Sequence, residues 1–303
     1  MKLKTIFYVL QSKIISPFYK TPNVLSDFET VEYIKKTGCG IARFGDGELA
    51  LMQGFSIPFQ DKNNALAKRL KNIKTTKNCL VCVPNVFDLN ALKQTTNEEE
   101  FNFWKKNLNK FLGLWKKVFG KCTVVGDAFL SRFYMRKTDK SQTENYALAL
   151  KEIWQDREII FVEGEKSRLG VGNDLFSNSK DIKRIICPSK NAFESYEKIL
   201  SAVKKSAKKD SLIIVALGPT ATVLAYDLCG LGYQALDLGH VDVEYEWFKM
   251  GATKKCPVKN KQVIEIGSDG LDENGADLTD LTADKSKQNA IEQDYIAQII
   301  ERI

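Results

Sequence analysis

Four apolar, β-branched runs in the second half of the chain constrain its fold more than any other feature. EIIFVEG, IKRIICP, SLIIVALG and YQALDLG all have strand length. Between the last three lie AFESYEKILSAVKKSA and TATVLAYDLCGLG, which have helix length and period. A strand that is apolar on both faces can leave neither face in water. The alternation therefore predicts a parallel sheet covered by helices on both sides. The expected class is α/β, a Rossmann-like, mostly parallel sheet flanked by helices on both faces. Ligands of such sheets sit beyond the carboxyl ends of the strands, so the residues just after each strand are where a site is sought.

The first half adds elements of the same kind. Ser26 and Glu29 have capping-box spacing and open a helix that Gly38 stops. CGIARFG reads as a strand running into the helical DGELALMQG, followed by the amphipathic NALAKRLKNIKT, the buried strand CLVCVP and the long helix EEEFNFWKKNLNKFLGLWKKVFG. CTVVGD is a further strand, with FLSRFYMR and ENYALALKEIWQ helical after it. Three parts are expected: an N-terminal amphipathic helix or extension at 1–25, one catalytic-sized domain at 26–265, and an acidic linker with a short terminal helix, IEQDYIAQIIERI, at 266–303.

Charge narrows the partners. The chain carries a formal +7, yet residues 265–303 hold ten acidic and three basic side chains, so the preceding body is near +14. A basic body favours anionic ligands such as nucleotide diphosphates, acidic glycans or a membrane surface. No nucleic-acid module is recognisable. TIFYVL near the start is too short to span a bilayer, which leaves at most a peripheral membrane contact. The seven cysteines are scattered through apolar runs, as buried thiols in a reducing cytoplasm would be. Cys79 and Cys82 have C-x-x-C spacing but no second Cys/His pair nearby. The expected location is cytoplasmic, at the inner face of the membrane. D-x-D-G elements in the acidic linker hint at calcium, but their spacing fails the full calcium loop.

Polar clusters follow the strands. ARFGDGE sets Arg43, Asp46 and Glu48 at a strand-to-helix turn, with Gly45 and Gly47 allowing close approach of backbone. Asp-x-Glu there suits a divalent cation on a diphosphate, or simply a helix N-terminus carrying acids. Asp127 follows the CTVVGD strand, with Arg132 close after it. The loop VEGEKSRLGVGND brings Glu163, Lys166, Ser167, Arg168, Asn173 and Asp174 together among glycines, a plausible phosphate cradle. ICPSKNAF and ALGPTAT are strand-turn-helix elements where Gly218 and Thr220 would offer N–H groups to an anion, or serve as ordinary caps.

The last cluster contains the only histidine of the chain. In GHVDVEYEW, His240 heads a ladder of Asp242, Glu244 and Glu246. If extended, these four share one face. If helical, His240 pairs with Glu244 and Asp242 with Glu246. Either geometry sets a carboxylate beside the imidazole, orienting it.

With these motifs assembled, the chain resembles the GT-D fold glycosyltransferases, a bacterial family. The resemblance runs from about Thr30 to Glu265 through ARFGDGE, GDAFLSRFY, EGEKSRLGVGNDLF, CPSKNAF, ALGPTATVLAYDL and LDLGHVDVEYEW. It implies transfer of a sugar, a hexose such as glucose, from a UDP-sugar to a glycan or lipid-linked oligosaccharide acceptor in surface polysaccharide or glycoprotein assembly. It also implies a divalent cation, Mn²⁺ or Mg²⁺, held by an Asp-x-Glu motif. Two such motifs are present, Asp46–Glu48 and Asp242–Glu244, and the choice between them stays open. The expected donor contacts are Arg43, Gly45, Asp46, Lys166, Ser167, Arg168, Gly218 and Thr220. The expected catalytic group is His240 with Asp242 or Glu246 as base. The alternatives are another anion-site enzyme, a phosphohydrolase or pyruvyl-type transferase, and a non-catalytic nucleotide-sugar-binding module.

Overall fold

The structure, a computed structural model, describes residues 23–119, 124–263, 266 and 285–303. Ser26 caps helix α1 (Asp27–Thr37): its Oγ accepts from the Glu29 amide at 3.2 Å, and Glu29 Oε2 accepts from the Ser26 amide at 2.8 Å. Gly38, at φ 65°, ends the helix in the left-handed region. The chain then enters β1 (Gly40–Arg43) and turns at once into α2 (Asp46–Met52). Next come α3 (Asn64–Asn72), β2 (Cys79–Val83), α4 (Leu89–Thr95), α5 (Glu98–Phe119) and β3 (Gly126–Asp127). The second half runs α6 (Thr143–Trp154), β4 (Glu158–Gly164), β5 (Asp181–Cys187), α7 (Tyr196–Ser206), β6 (Leu212–Ala216), α8 (Pro219–Gly230), β7 (Gln234–Asp237) and α9 (Val241–Lys249). Helix α10 (Lys285–Gln298) and β8 (Ile299–Arg302) follow.

The strands form one sheet in the order β3-β2-β1-β7-β6-β4-β5-β8, and every strand pair in it is parallel. Alternate residues of each strand feed two separate cores, as the period of a strand requires. Ile160 and Val162 of β4 pack with α3, α5, α7 and α8, whereas Ile159 and Phe161 pack with α1, α6 and α9. The covered sheet read from the apolar runs is therefore the one observed. From β1 the chain moves outward to β2 and β3, while from β4 it moves the other way to β5. The strand ends of β1, β7, β6 and β4 lie between these two directions, where a crevice opens.

Two helices expected from the sequence take other forms. FLSRFYMR makes only a 3₁₀ turn at Ala128–Ser131. Asp127 accepts the Phe129 amide at 2.8 Å, and the Tyr134 and Met135 amides both go to Glu244 Oε2 at 2.8 Å instead of to helical carbonyls. The end of IEQDYIAQIIERI leaves the helix at Gln298, and Ile299–Arg302 pairs with β5 as an edge strand. Sheet pairing thus extends past residue 265. Cys79 and Cys82 sit buried in β2 and belong to opposite faces of the sheet, so they cannot grip one ion together. The expected N-terminal helix and the calcium-like acidic linker both fall mostly outside the described residues. Among the described residues, no helix is long and apolar enough to cross a membrane.

Candidate active site

The ladder GHVDVEYEW resolves as helix. His240 takes φ 80°, a left-handed conformation that a non-glycine residue adopts at some cost, and α9 starts right after it. Its carbonyl accepts the Glu244 amide at 3.1 Å. The three acids consequently leave the helix in different directions. Glu244 is buried against the 128–135 segment, capping the Tyr134 and Met135 amides. Asp242 and Glu246, one turn apart, meet a single ammonium: Lys261 Nζ lies 2.5 Å from Asp242 Oδ2 and 2.9 Å from Glu246 Oε1. The Asn173 side-chain amide donates to both carboxylates, at 2.7 and 2.6 Å.

Arg43, at the end of β1, ties neighbouring strand ends together. Its Nε donates to the Asp237 carbonyl at 2.6 Å and its Nη2 to Asp237 Oδ1 at 3.0 Å and Gly239 O at 3.1 Å. Its Nη1 donates to Ser131 Oγ at 2.5 Å and Ala128 O at 3.2 Å. A guanidinium has five N–H groups, and each has a protein acceptor here. Arg43, expected to hold a phosphate, lines the crevice, and its donors join β1, β7 and the 128–131 turn.

A cleft of about 640 Å³ opens over these strand ends. Asp46, Glu48, Asp237, His240 and Asp242 all contribute to its lining, so the Asp46–Glu48 turn and the head of the ladder, nearly 200 residues apart in sequence, face one space. Glu48 Oε2 accepts the Gly45 amide at 2.6 Å. Burial, with Asp237 and Asp46 adding repulsion, pushes the Glu48 carboxyl up to about 7 against the pull of that amide. Gly164, Ser167, Ser189 and Gly218 add small and hydroxyl residues to the same lining. A buried pair fixes the 164–169 loop: Arg184 Nη1 meets Glu163 Oε1 at 2.5 Å, Glu163 Oε2 accepts the Leu169 amide at 2.7 Å, and Arg184 Nη2 donates to the Leu169 carbonyl at 2.8 Å.

Other expected contacts separate from the cleft. Arg168 turns to α10, pairing with Glu292 at 2.5 Å and stacking 4.2 Å from the Tyr295 ring centre. Lys166 is an exposed residue of the loop; its carbonyl accepts the Gln262 amide at 3.0 Å. Thr220 is fully buried under the first turn of α8, away from the cleft lining, while Gly218 lines it. Glu246 lines a different cavity with Lys249, Tyr295 and Gln298, so of the two candidate bases only Asp242 reaches the cleft.

Sequence reasoning missed several residues of the site. Lys261 sits in KCPVKNKQV among other lysines and carries no signal of its own. Asp237 ends a strand like any turn residue, and only its pairing with Arg43 gives it meaning. The aromatic wall of Phe59, Phe103, Trp104 and Phe129 comes from three separate segments. Lys255 is a cleft-lining cation whose Nζ lies 2.8 Å from Glu99, and it joins Arg132, which the sequence had already set beside Asp127.

The two Asp-x-Glu motifs can now be compared as cation sites. At Asp242–Glu244, one carboxylate is held by Lys261 and Asn173 and the other by two backbone amides, which does not fit a divalent ion in this arrangement. At Asp46–Glu48, both carboxylates line the cleft, and the repulsion around Glu48 is what a hard cation would relieve. Among the described residues, no three His, Cys, Asp or Glu side chains converge into a closed metal site. A cation held by one or two carboxylates takes its other oxygens from substrate phosphates.

The family Glycosyltransferase GT-D fold matches residues 41–266. The chain belongs to the GT-D glycosyltransferases. It is 39% identical over 259 residues to a probable glycosyl transferase, Gly, of Streptococcus gordonii, covering 84% of this chain and 37% of that protein. It is also 39% identical over 249 residues to the glycosyltransferase GlyD of Streptococcus pneumoniae serotype 4, covering 80% of this chain and 29% of that protein. The chain thus spans about a third of the length of these relatives. Among solved structures, a new glycosyltransferase (domain of unknown function 1792) from Streptococcus sanguinis is 38% identical, with TM-score 0.81 over 93% of this chain and 100% of the other. A second, described as the highly conserved domain of unknown function 1792 with a distinct glycosyltransferase fold, is 39% identical with TM-score 0.80 over 99% of both chains. The GT-D fold implied by the sequence motifs is therefore the one observed.

Proposed function

We propose that this GT-D domain transfers a hexose from a UDP-sugar to a glycan or lipid-linked oligosaccharide acceptor in bacterial surface glycan assembly. One observation carries the reading: the Asp46–Glu48 turn, the 164–167 loop, Gly218 and the His240–Asp242 pair line a single cleft at the carboxyl ends of the strands. In this reading the diphosphate lies against Gly164, Ser167, Ser189 and Gly218, whose small side chains and hydroxyls admit its oxygens. Arg132 and Lys255 supply positive charge at the cleft in place of Arg43 and Arg168. Asp46 and Glu48 are the pair assigned to Mn²⁺ or Mg²⁺, which when bound would offset the charge that grows on the departing diphosphate.

The acceptor hydroxyl must lose a proton as the new glycosidic bond forms. That work is assigned to Asp242, which lines the cleft, and a positioned base is typically worth ~10²–10⁴-fold. His240, in its left-handed turn at the start of α9, lines the same cleft as Asp242 and is assigned to the leaving phosphate. The aromatic wall of Phe103, Trp104 and Phe129 offers flat apolar faces to a sugar ring or a base. The test is a thermal-shift screen of nucleotide sugars with and without Mn²⁺, because a ligand that binds only the folded state raises the melting point by mass action. A UDP-sugar shift that needs Mn²⁺ and disappears in Asp46→Asn supports the assignment. No shift with any nucleotide sugar would overturn it.

A further inference from the structure

Asp242 and Glu246 leave the same side of α9 one turn apart, and neither faces open water: Asp242 is 1% exposed and the Glu246 side chain 18%. Two carboxylates brought this close in a buried place need a positive partner. Lys261 provides it from outside the helix. It ends a small turn in which Val258 bridges back to Lys261, and the next residue, Gln262, is hydrogen-bonded through its amide to the Lys166 carbonyl of the cradle loop. Its ammonium is 2% exposed and reaches both acids, while Asn173, from the same cradle loop, donates to each. The oxygens with which Asp242 and Glu246 could hold an ion are thus engaged by one cation of the protein and one neutral amide.

We infer that Lys261 is a tethered cation that fills, between Asp242 and Glu246, the place a divalent ion would take, and so leaves metal binding to Asp46 and Glu48. This rests on the reading of Asp242 as a cleft carboxylate. An ammonium and a divalent ion repel each other over this distance, so both cannot serve Asp242 at once. The device keeps Asp242 in a defined orientation toward the cleft without a metal ligand's loss of freedom. It also ties α9 to the cradle loop, because the 258–262 turn holds both.

The test is Mn²⁺ binding to the whole chain without nucleotide, followed by the free-ion electron paramagnetic resonance signal and by the melting temperature in EDTA and in Mn²⁺. Lys261→Met should melt lower than the wild type in EDTA and should recover more in Mn²⁺ than the wild type gains. Its Mn²⁺ affinity should rise at least tenfold, and the gain should vanish when Asp242→Asn is added. Unchanged or weaker Mn²⁺ binding in Lys261→Met, or a gain that survives Asp242→Asn, would overturn the inference. Should the single variant not fold, Lys261→Met/Glu246→Gln removes one charge of each sign and still leaves Asp242 uncompensated. Mn²⁺ must then raise its melting temperature more than that of the wild type, and an equal or smaller rise counts against the inference. Because these readouts use Mn²⁺ alone, failure of the UDP-sugar screen would remove the donor assignment without touching this result.

Discussion

Gly218 offers a severe and separable perturbation of the cleft. It sits between β6 and α8 with φ 53° and ψ −142°, a combination open essentially to glycine. A Cβ at this position would lie 2.6 Å from both Cδ2 and Cε2 of Phe59. Carbon atoms rest about 3.5–4.0 Å apart, so the ring would have to retreat by about 1 Å. It is not free to do so cheaply. The Phe59 carbonyl accepts the Asn191 amide at 3.0 Å, and Asn191 Oδ1 accepts the Asp61 amide at 2.8 Å, which fastens the 57–61 loop down. Gly218→Ala should therefore cost about 1–3 kcal/mol in backbone strain and about 1–3 kcal/mol more in overpacking. Urea unfolding of the wild type, Gly218→Ala, Phe59→Ala and the double variant separates the two as a double-mutant cycle. Removing the ring should recover only the overpacking share. A loss below about 0.5 kcal/mol in Gly218→Ala, or full recovery on removing the ring, would refute the reasoning.

Three other outcomes follow from the same geometry. Arg43→Lys replaces a five-donor fork with a point charge and should lower stability by about 2–4 kcal/mol, with a larger loss of transfer activity than of fold, read by melting and turnover together. Arg184→Met leaves Glu163 buried without its partner and should cost about 3–5 kcal/mol, whereas Arg184→Met with Glu163→Gln should recover part of it in the same denaturation assay. Asp127 has its carboxyl pushed up to about 7 by burial, against the pull of Arg136. Its proton leaves the unfolded chain near 4 and the folded protein near 7, so the group lowers stability as pH rises across that interval, at up to about 1.4 kcal/mol per pH unit. Asp127→Asn keeps an oxygen for the Phe129 and Asn85 amides and should flatten the decline between pH 4 and 7 in melts run across pH; an unchanged slope would count against it.

The sheet was legible because it is written locally. Runs such as EIIFVEG can be satisfied only between two covered faces, and β4 to β7 appear where those runs stand. β8 was not legible. Ile299–Arg302 continues the pattern of a helix and becomes a strand only because the edge of β5 offers it a ladder, a non-local choice. The same distinction divides the site. Asp46, Glu48, His240 and Asp242 stand out by residue type and by following a strand, and they share the cleft. Arg168 has the same chemistry as a phosphate ligand, yet Glu292, some 120 residues away, takes it. Lys261 was invisible because a lysine acquires its meaning from the two carboxylates it meets.

In the proposed reading, distant segments grip one nucleotide diphosphate-sugar at one rim. Hydrogen exchange with and without UDP and Mn²⁺ tests it most directly, because it reads every segment at once. Amides in 43–48, 164–169, 217–221 and 239–243 should gain protection together and lose it from all four segments in Asp46→Asn. Protection confined to one of these segments, or centred on the cavity beside Tyr295 and Glu246, would contradict it.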